Sequence, residues 1–229
     1  MPVREANAKS DNESSAVSWF PTIKPYELPD ANILSTNKAA WSLASRKSAL
    51  LVHDMQKFWV DRFEDPSKVV DAIGELIHLC RTFDIPIIYS VGEKVRNRAE
   101  RGLSLDLWGP GISTAGGVSD QDAAIIDTLM PQKQDYIVQK QKYSAFYNTD
   151  LENILRTTGR SQLIVTGIYA HHGCLVTALD AFMRNIEVFF VIDATADYTR
   201  ADHEMALRYV AETSGVLTTV RDVTKQIKD

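Results

Sequence analysis

Cysteine is scarce in this chain. Only Cys80 and Cys174 occur among 229 residues, far apart and in no CxxC or Cys/His zinc spacing. That argues against a disulfide framework or a zinc module and for a reducing compartment, the cytoplasm. Long apolar runs are also missing: none approaches the roughly 20 residues that a membrane span needs. Residues 1–15 are polar and of mixed charge, without the apolar core of a signal peptide. Nor is there a surplus of positive charge. Lys and Arg total 25 against 30 Asp and Glu, for a formal net charge of −5, which argues against nucleic acid as the main partner. No repeat of fixed period and no low-complexity tract is visible.

What is present suits one globular domain with an extension. The composition is 45% hydrophobic and 24% charged, near the average for such proteins. Three segments are expected. Residues 1–18, rich in Ser, Asn, Glu and Lys, form a mobile tail. Residues 19–46 form an extended arm, because Pro21, Pro25 and Pro29 forbid a regular helix while Trp19, Phe20, Ile23 and Tyr26 require burial. That burial is expected on the domain or on a second subunit. Residues 47–229 form the domain proper.

Within the domain, short runs rich in Val, Ile, Leu, Phe and Tyr predict strands at 48–53, 85–91, 135–139, 162–166, 188–192 and 215–220. Most lack polar alternation, as parallel strands covered on both faces do. Stripes of helical spacing lie between them: Val69 to Cys80, Ala123 to Leu129, Leu151 to Leu155, Leu175 to Met183 and Met205 to Val210. Alternating strands and helices predict an α/β fold of βαβ units, with a parallel sheet and helices on both faces.

Ligands of such sheets bind beyond the carboxyl ends of the strands, which selects a short list of candidates. Asp54 follows the first apolar strand. It is either a helix N-cap or a partly desolvated carboxyl whose pKa is raised toward the protonated acid. Lys140 ends the third strand just before a run of aromatics, as a solvated charge or as part of a pocket wall; Lys142 follows it. The fourth strand runs into 167–174, where a helix expected to start at about 173–175 offers free backbone N–H groups to an anion. His171 and His172 are adjacent and lack HxH or HxxxH spacing, so no metal is expected there. Cys174 is a nucleophile activated by a helix start or a small core residue. Lys94, Arg96, Arg98 and Arg101 form a basic stretch before Trp108, read as a solvated loop or as a flap over an anionic substrate.

These residues occur in combinations that resemble the isochorismatase family. The combinations are His53-Asp54-Met55-Gln56, Trp108-Gly109-Pro110-Gly111, Lys140 with Tyr143-Ser144-Ala145-Phe146, and Gly167-Ile168-Tyr169-Ala170-His171 with Gly173-Cys174. Ala181-Phe182-Met183-Arg184 and Asp193-Ala194 with Ala196-Asp197 add to them. The similarity runs from about Trp19 to Val220 and is greatest toward the siderophore and phenazine-pathway branches. It implies a Rossmann-like three-layer α/β/α sandwich with a mainly parallel six-stranded sheet, a homodimer, and no metal or other cofactor. It also implies hydrolysis of the enolpyruvyl vinyl ether of isochorismate, or of its 2-amino-2-deoxy analogue, by a general acid without a covalent intermediate. Asp54 and Lys140 are the implied catalytic pair. Arg101, Trp108, Lys142, Tyr143, Tyr169 and Gly173 are the implied substrate contacts, for a small anionic substrate.

Cysteine hydrolases of the wider superfamily carry their nucleophile at the position of Gly173, and Cys174, one residue on, is turned by about 100° on a helix. A cysteine-dependent amidase is therefore the minority reading, and a non-catalytic binding homologue is a further one. The glycine at 173 is expected to leave room for substrate. Two departures mark this chain: Gly92-Glu93 stands where relatives carry Gln-Pro, with loss of the glutamine's hydrogen bond, and Lys142 stands where they carry arginine. Siderophore enzymes of this type often carry a C-terminal aryl carrier domain; this sequence, which runs to Asp229, is expected to be the free-standing form.

Overall fold

The apolar runs assemble into one sheet. In the computed structural model, which describes residues 20–229, six strands are present: β1 (Ser48–His53), β2 (Ile87–Gly92), β3 (Tyr136–Lys140), β4 (Gln162–Ile168), β5 (Glu187–Ala196) and β6 (Val216–Thr218). Their order is β3-β2-β1-β4-β5-β6 and every pairing is parallel. The order reverses between β1 and β4, the point at which open sheets of this kind bind ligands. Every residue of β1 and β4 is buried. The edge strand β3 is different, with Tyr136 and Ile137 exposed and Val138 buried.

Nine α-helices accompany these strands among the described residues. They are α1 (Lys57–Val60), α2 (Ser67–Thr82), α3 (Arg98–Arg101), α4 (Ser104–Trp108), α5 (Asp120–Ala123), α6 (Leu151–Thr157), α7 (Leu175–Met183), α8 (Arg200–Thr213) and α9 (Val220–Lys228). The apolar stripe of α2 (Val69, Ile73, Leu76, Ile77, Cys80) packs with Val223 and Ile227 of α9 on one face of the sheet. Leu151 and Leu155 of α6, Ala178 and Ala181 of α7, and Leu207 and Val210 of α8 pack on the other. The result is the three-layer sandwich. Thr199 and Thr219 accept from the backbone N–H of Asp202 and Asp222, so each caps the start of its helix. Because Thr219 is already a cap, β6 stops at Thr218 rather than reaching 220. None of the described helices is long and apolar enough to cross a membrane.

Two expectations are corrected. Ala123 to Leu129 is not one amphipathic helix. The chain is extended at Ala124, where its carbonyl accepts from Lys57 N–H, and Ile126 N–H donates to Met55 O. Pairing with 55–57 replaces the helix. The arm needs no second subunit to bury its apolar side chains. Phe20 and Ile23 are 6% and 2% exposed within the single chain, Ile23 pairs with Phe63, and the Tyr26 hydroxyl accepts from Asp197 N–H at 2.8 Å. The expected tail, 1–18, and Trp19 lie outside the described residues.

Candidate active site

β1 carries His53 and Asp54 to the switch point, where Asp54 takes a left-handed backbone (φ 51°) and donates its N–H to Ser90 O at 2.8 Å. No helix begins there, and α1 is preceded by Gln56 without a side-chain cap. The N-cap reading of Asp54 is therefore wrong. Lys140 arrives from β3, two strands away. Its side chain is 6% exposed and its Nζ donates to Asp54 Oδ2 at 2.7 Å, so it is not a solvated surface charge. Asp54 Oδ1 is buried and has no hydrogen-bond partner. One carboxyl oxygen is thus held by an ammonium, and the other makes no hydrogen bond.

His53 is fully buried. Its Nδ1 lies 3.3 Å from Asp54 Oδ2 and 3.2 Å from the carbonyl of Ile168, and its Nε2 lies 3.3 Å from that of Tyr143. Burial, above all, lowers its pKa to about 4, so at neutral pH the ring is uncharged and braces β1 against both loops. A Cβ on Gly173 would stand 2.1 Å from the His53 Cε1. The space beside Gly173 is therefore occupied by a protein side chain, which corrects the expectation that glycine leaves room there for substrate.

After β4 the chain passes through a cis Ile168–Tyr169 peptide into a π-helical turn, Ala170–Cys174, that leads directly into α7. The helical segment starts three residues earlier than expected, and its first-turn donors are partly used: His171 N–H donates to Asp197 Oδ2 at 2.6 Å. The ring of His171 pairs with the same carboxylate at 2.6 Å. Burial pulls its pKa down, but the hydrogen bond and charge of Asp197 outweigh this and hold it above the ordinary value. His172 lies in the cleft wall, and burial, then His171, lower its pKa to about 4. Cys174 is fully buried with its Sγ toward Thr166 O, and burial drives its thiol pKa well up. It is a core residue, which removes the basis for an amidase that uses it.

Asp54, Lys140 and Gly173 line a cleft of about 870 Å³, part of it open to solvent. All eight residues expected at the site line it: Asp54, Arg101, Trp108, Lys140, Lys142, Tyr143, Tyr169 and Gly173. Trp108 Nε1 donates to the Tyr143 hydroxyl at 2.5 Å. The Arg101 guanidinium folds over Gly111, where a Cβ would meet Nη2 at 2.5 Å, and its Nε donates to Gly109 O. Burial lowers the Arg101 pKa. Of the basic stretch, Arg101 alone reaches the cleft. Lys94, Arg96 and Arg98 pair with Asp120, Glu100 and Asp106. Sequence reasoning missed Phe20, Trp59, Ile112 and Tyr198, which complete an aromatic and apolar wall. Trp59 lies five residues beyond Asp54, and Tyr198 directly follows the Asp193–Asp197 motif. Neither position carries a periodic signal.

Three histidines have pKa values lowered to about 4: His53, His172 and His203, in each case chiefly by burial. Unfolded histidine titrates near 6.5, so between about pH 6.5 and 4 the unfolded chain binds more protons and stability falls as pH falls. Each histidine contributes up to about 1.4 kcal/mol per pH unit. The melting temperature should drop steeply over this window, and less steeply in His203→Asn. A flat profile from pH 7 to 4 refutes this.

A parallel α/β sandwich that sets an Asp54–Lys140 pair into an aromatic cleft, with Gly173 in the cleft lining and the Cys174 thiol sealed in the core, has the build of a small-molecule enzyme. The chain belongs to the isochorismatase family, whose domain model matches residues 48–222. It is 40% identical over 200 residues to enterobactin synthase component B of Escherichia coli strain K12, covering 86% of this chain and 69% of that one. It is 40% identical over 196 residues to the isochorismatase of Bacillus subtilis strain 168, covering 84% and 62%. It is 36% identical over 209 residues to the phenazine biosynthesis protein PhzD of Pseudomonas fluorescens, covering 90% and 99%. Among solved structures, a cysteine hydrolase from Pseudomonas syringae pv. phaseolicola 1448A superposes with a TM-score of 0.75 at 27% identity, over 82% of this chain and 95% of that one.

Proposed function

We propose that this enzyme hydrolyses the enolpyruvyl vinyl ether of isochorismate, or of its 2-amino-2-deoxy analogue, in siderophore or phenazine-type biosynthesis. The observation that carries this reading is the Asp54 carboxyl, with Oδ2 held by Lys140 at 2.7 Å and Oδ1 buried and unpartnered. Vinyl ether hydrolysis begins with proton delivery to the terminal methylene carbon, and a positioned carboxylic acid suits that task. Asp54 donates its proton from the free oxygen, while Lys140 fixes the rotamer and offsets the charge left on Asp54. The oxocarbenium ion takes up water, and the hemiketal collapses to pyruvate and a dihydroxylated (or amino-hydroxy) cyclohexadiene carboxylate. No covalent intermediate forms, in keeping with a glycine at 173. Arg101 and Lys142 supply positive charge for the carboxylates. Trp108, Tyr143 and Tyr169 wall the ring.

The purified protein should release pyruvate from isochorismate or its amino analogue in a lactate-dehydrogenase-coupled assay. No pyruvate from either would sink the reading. We further propose a homodimer. Its support is the exposed apolar set Phe182 and Met183 of α7 with Met205 and Tyr209 of α8, rather than the arm. The same preparation should sediment at twice the chain mass, and a monomer at micromolar concentration would count against the dimer.

A further inference from the structure

The cleft holds a second unsatisfied polar group besides Asp54 Oδ1. The indole Nε1–H of Trp59 is buried and has no hydrogen-bond partner, although Trp59 lines the cleft. The ring is held in place by edge-to-face contacts with Phe20 at 4.9 Å and Tyr169 at 6.2 Å, so the donor has a set position. Its neighbour across the cleft is Gly92. A Cβ built there would stand 3.3 Å from Gln56 Oε1, 3.6 Å from Ile112 Cδ1 and 3.8 Å from Trp59 Nε1, so the missing side chain leaves a small space, bounded by Gln56 and Ile112, beside the N–H.

Nothing on Gly92 can fill the donor's need. The Gly92 N–H donates to Gln56 Oε1 at 2.7 Å, and the Gly92 carbonyl accepts from Gln56 Nε2 at 3.0 Å. In the sheet register Gly92 stands beside Lys140, so this space adjoins the reacting pair. A buried donor without an acceptor costs stability, and such a cost is recovered when a ligand supplies the acceptor. Indole N–H donates only, so the ligand atom is an oxygen with a lone pair and not an ammonium. The cation beside this space, Lys140, is already paired with Asp54, and Glu93 is next in the chain, so an uncharged oxygen suits the space better than a carboxylate.

We propose that Trp59 is a specificity-determining residue: its N–H donates to the ring hydroxyl of the substrate in the space left by Gly92. The enzyme therefore favours the hydroxyl-bearing ring over its amino-bearing analogue. This inference rests on the vinyl ether reading and decides between the two substrates which that reading leaves open.

The test is the Michaelis parameters of wild type, Trp59→Phe and Gly92→Ala on isochorismate and on 2-amino-2-deoxyisochorismate, with a melting curve for each protein. Wild type should show the higher kcat/KM on isochorismate. Trp59→Phe keeps the aromatic packing and loses the N–H. It should raise KM for isochorismate about three- to tenfold, the range of one neutral hydrogen bond, with kcat nearly unchanged and little effect on the analogue. Gly92→Ala leaves Trp59 intact and narrows the space, so it should raise KM for isochorismate even where Trp59→Phe folds poorly. A wild-type preference for the amino analogue overturns the proposal. So does an unchanged isochorismate KM in both variants, or an equal loss on both substrates in Trp59→Phe. A wild type inactive on both substrates overturns the vinyl ether reading itself, and this proposal with it.

Discussion

Asp54→Asn should lower kcat by about 10²–10⁴, the usual contribution of a positioned general acid. The amide keeps the shape of the carboxyl and still accepts from Lys140 Nζ through its oxygen, but it has no proton to give to carbon. Substrate should still bind, because Arg101, Lys142 and the aromatic wall are untouched, so KM should move little. The fold should survive, since Asp54 caps no helix and its backbone N–H bond to Ser90 O does not involve the side chain. Asp54→Ala is a less informative variant. It leaves the buried Lys140 ammonium without its partner and mixes a stability loss into the rate. Single-turnover pyruvate release and a melting curve on the Asn variant separate the two effects. A near-normal kcat would exclude the acid role.

The second large effect is expected at Gly173, where even one methyl group is too much. Its Cβ would approach the His53 ring to 2.1 Å. The ring cannot retreat, because it is fully buried and its nitrogens face the carbonyls of Ile168 and Tyr143. Overpacking of this kind costs about 1–3 kcal/mol and occasionally more, or roughly 2–12 °C in melting temperature for a chain of this size. Activity should fall further than stability, because His53 Nδ1 lies 3.3 Å from Asp54 Oδ2 and any shift of the ring disturbs the acid. Gly173→Cys should therefore lose vinyl ether hydrolysis without acquiring amidase activity. A double-mutant cycle gives the sharper test: His53→Ala should recover part of the stability lost in Gly173→Ala, as a positive coupling. Independent, additive losses would show that the two residues do not clash.

The family resemblance implies that cysteine hydrolases carry their nucleophile at the position of Gly173. In this chain, His53 closes that position from the neighbouring strand. The ring that fills this space also lies 3.3 Å from Asp54 Oδ2.

Much of the fold was legible because parallel strands buried on both faces are nearly uninterrupted apolar runs. Runs such as Ala49-Leu50-Leu51-Val52 have few other uses in an α/β domain. Helix α2 was legible for a similar reason, as its stripe from Val69 to Cys80 repeats over about three turns. Ala123 to Leu129 misled because a short apolar spacing is shared by a helical turn and by a loop that pairs with 55–57. Of the site, the residues at strand ends and in motifs were found. Those that reach the cleft from irregular segments were not.

By itself the sequence determined the α/β alternation, the six strands and the family. It also determined the candidates Asp54, Lys140 and Gly173, since covalent order places each at or just beyond a strand end and residue chemistry limits what each can do. The tertiary structure alone decided that Lys140 meets Asp54 across β2, that Arg101 leaves its basic neighbours to enter the cleft, and that His53 fills the space beside Gly173. It alone left the Trp59 N–H facing the bare Gly92. Each of these is a relation between residues far apart in the chain or on different elements. Such relations depend on strand order, burial and side-chain packing, which residue spacing does not encode.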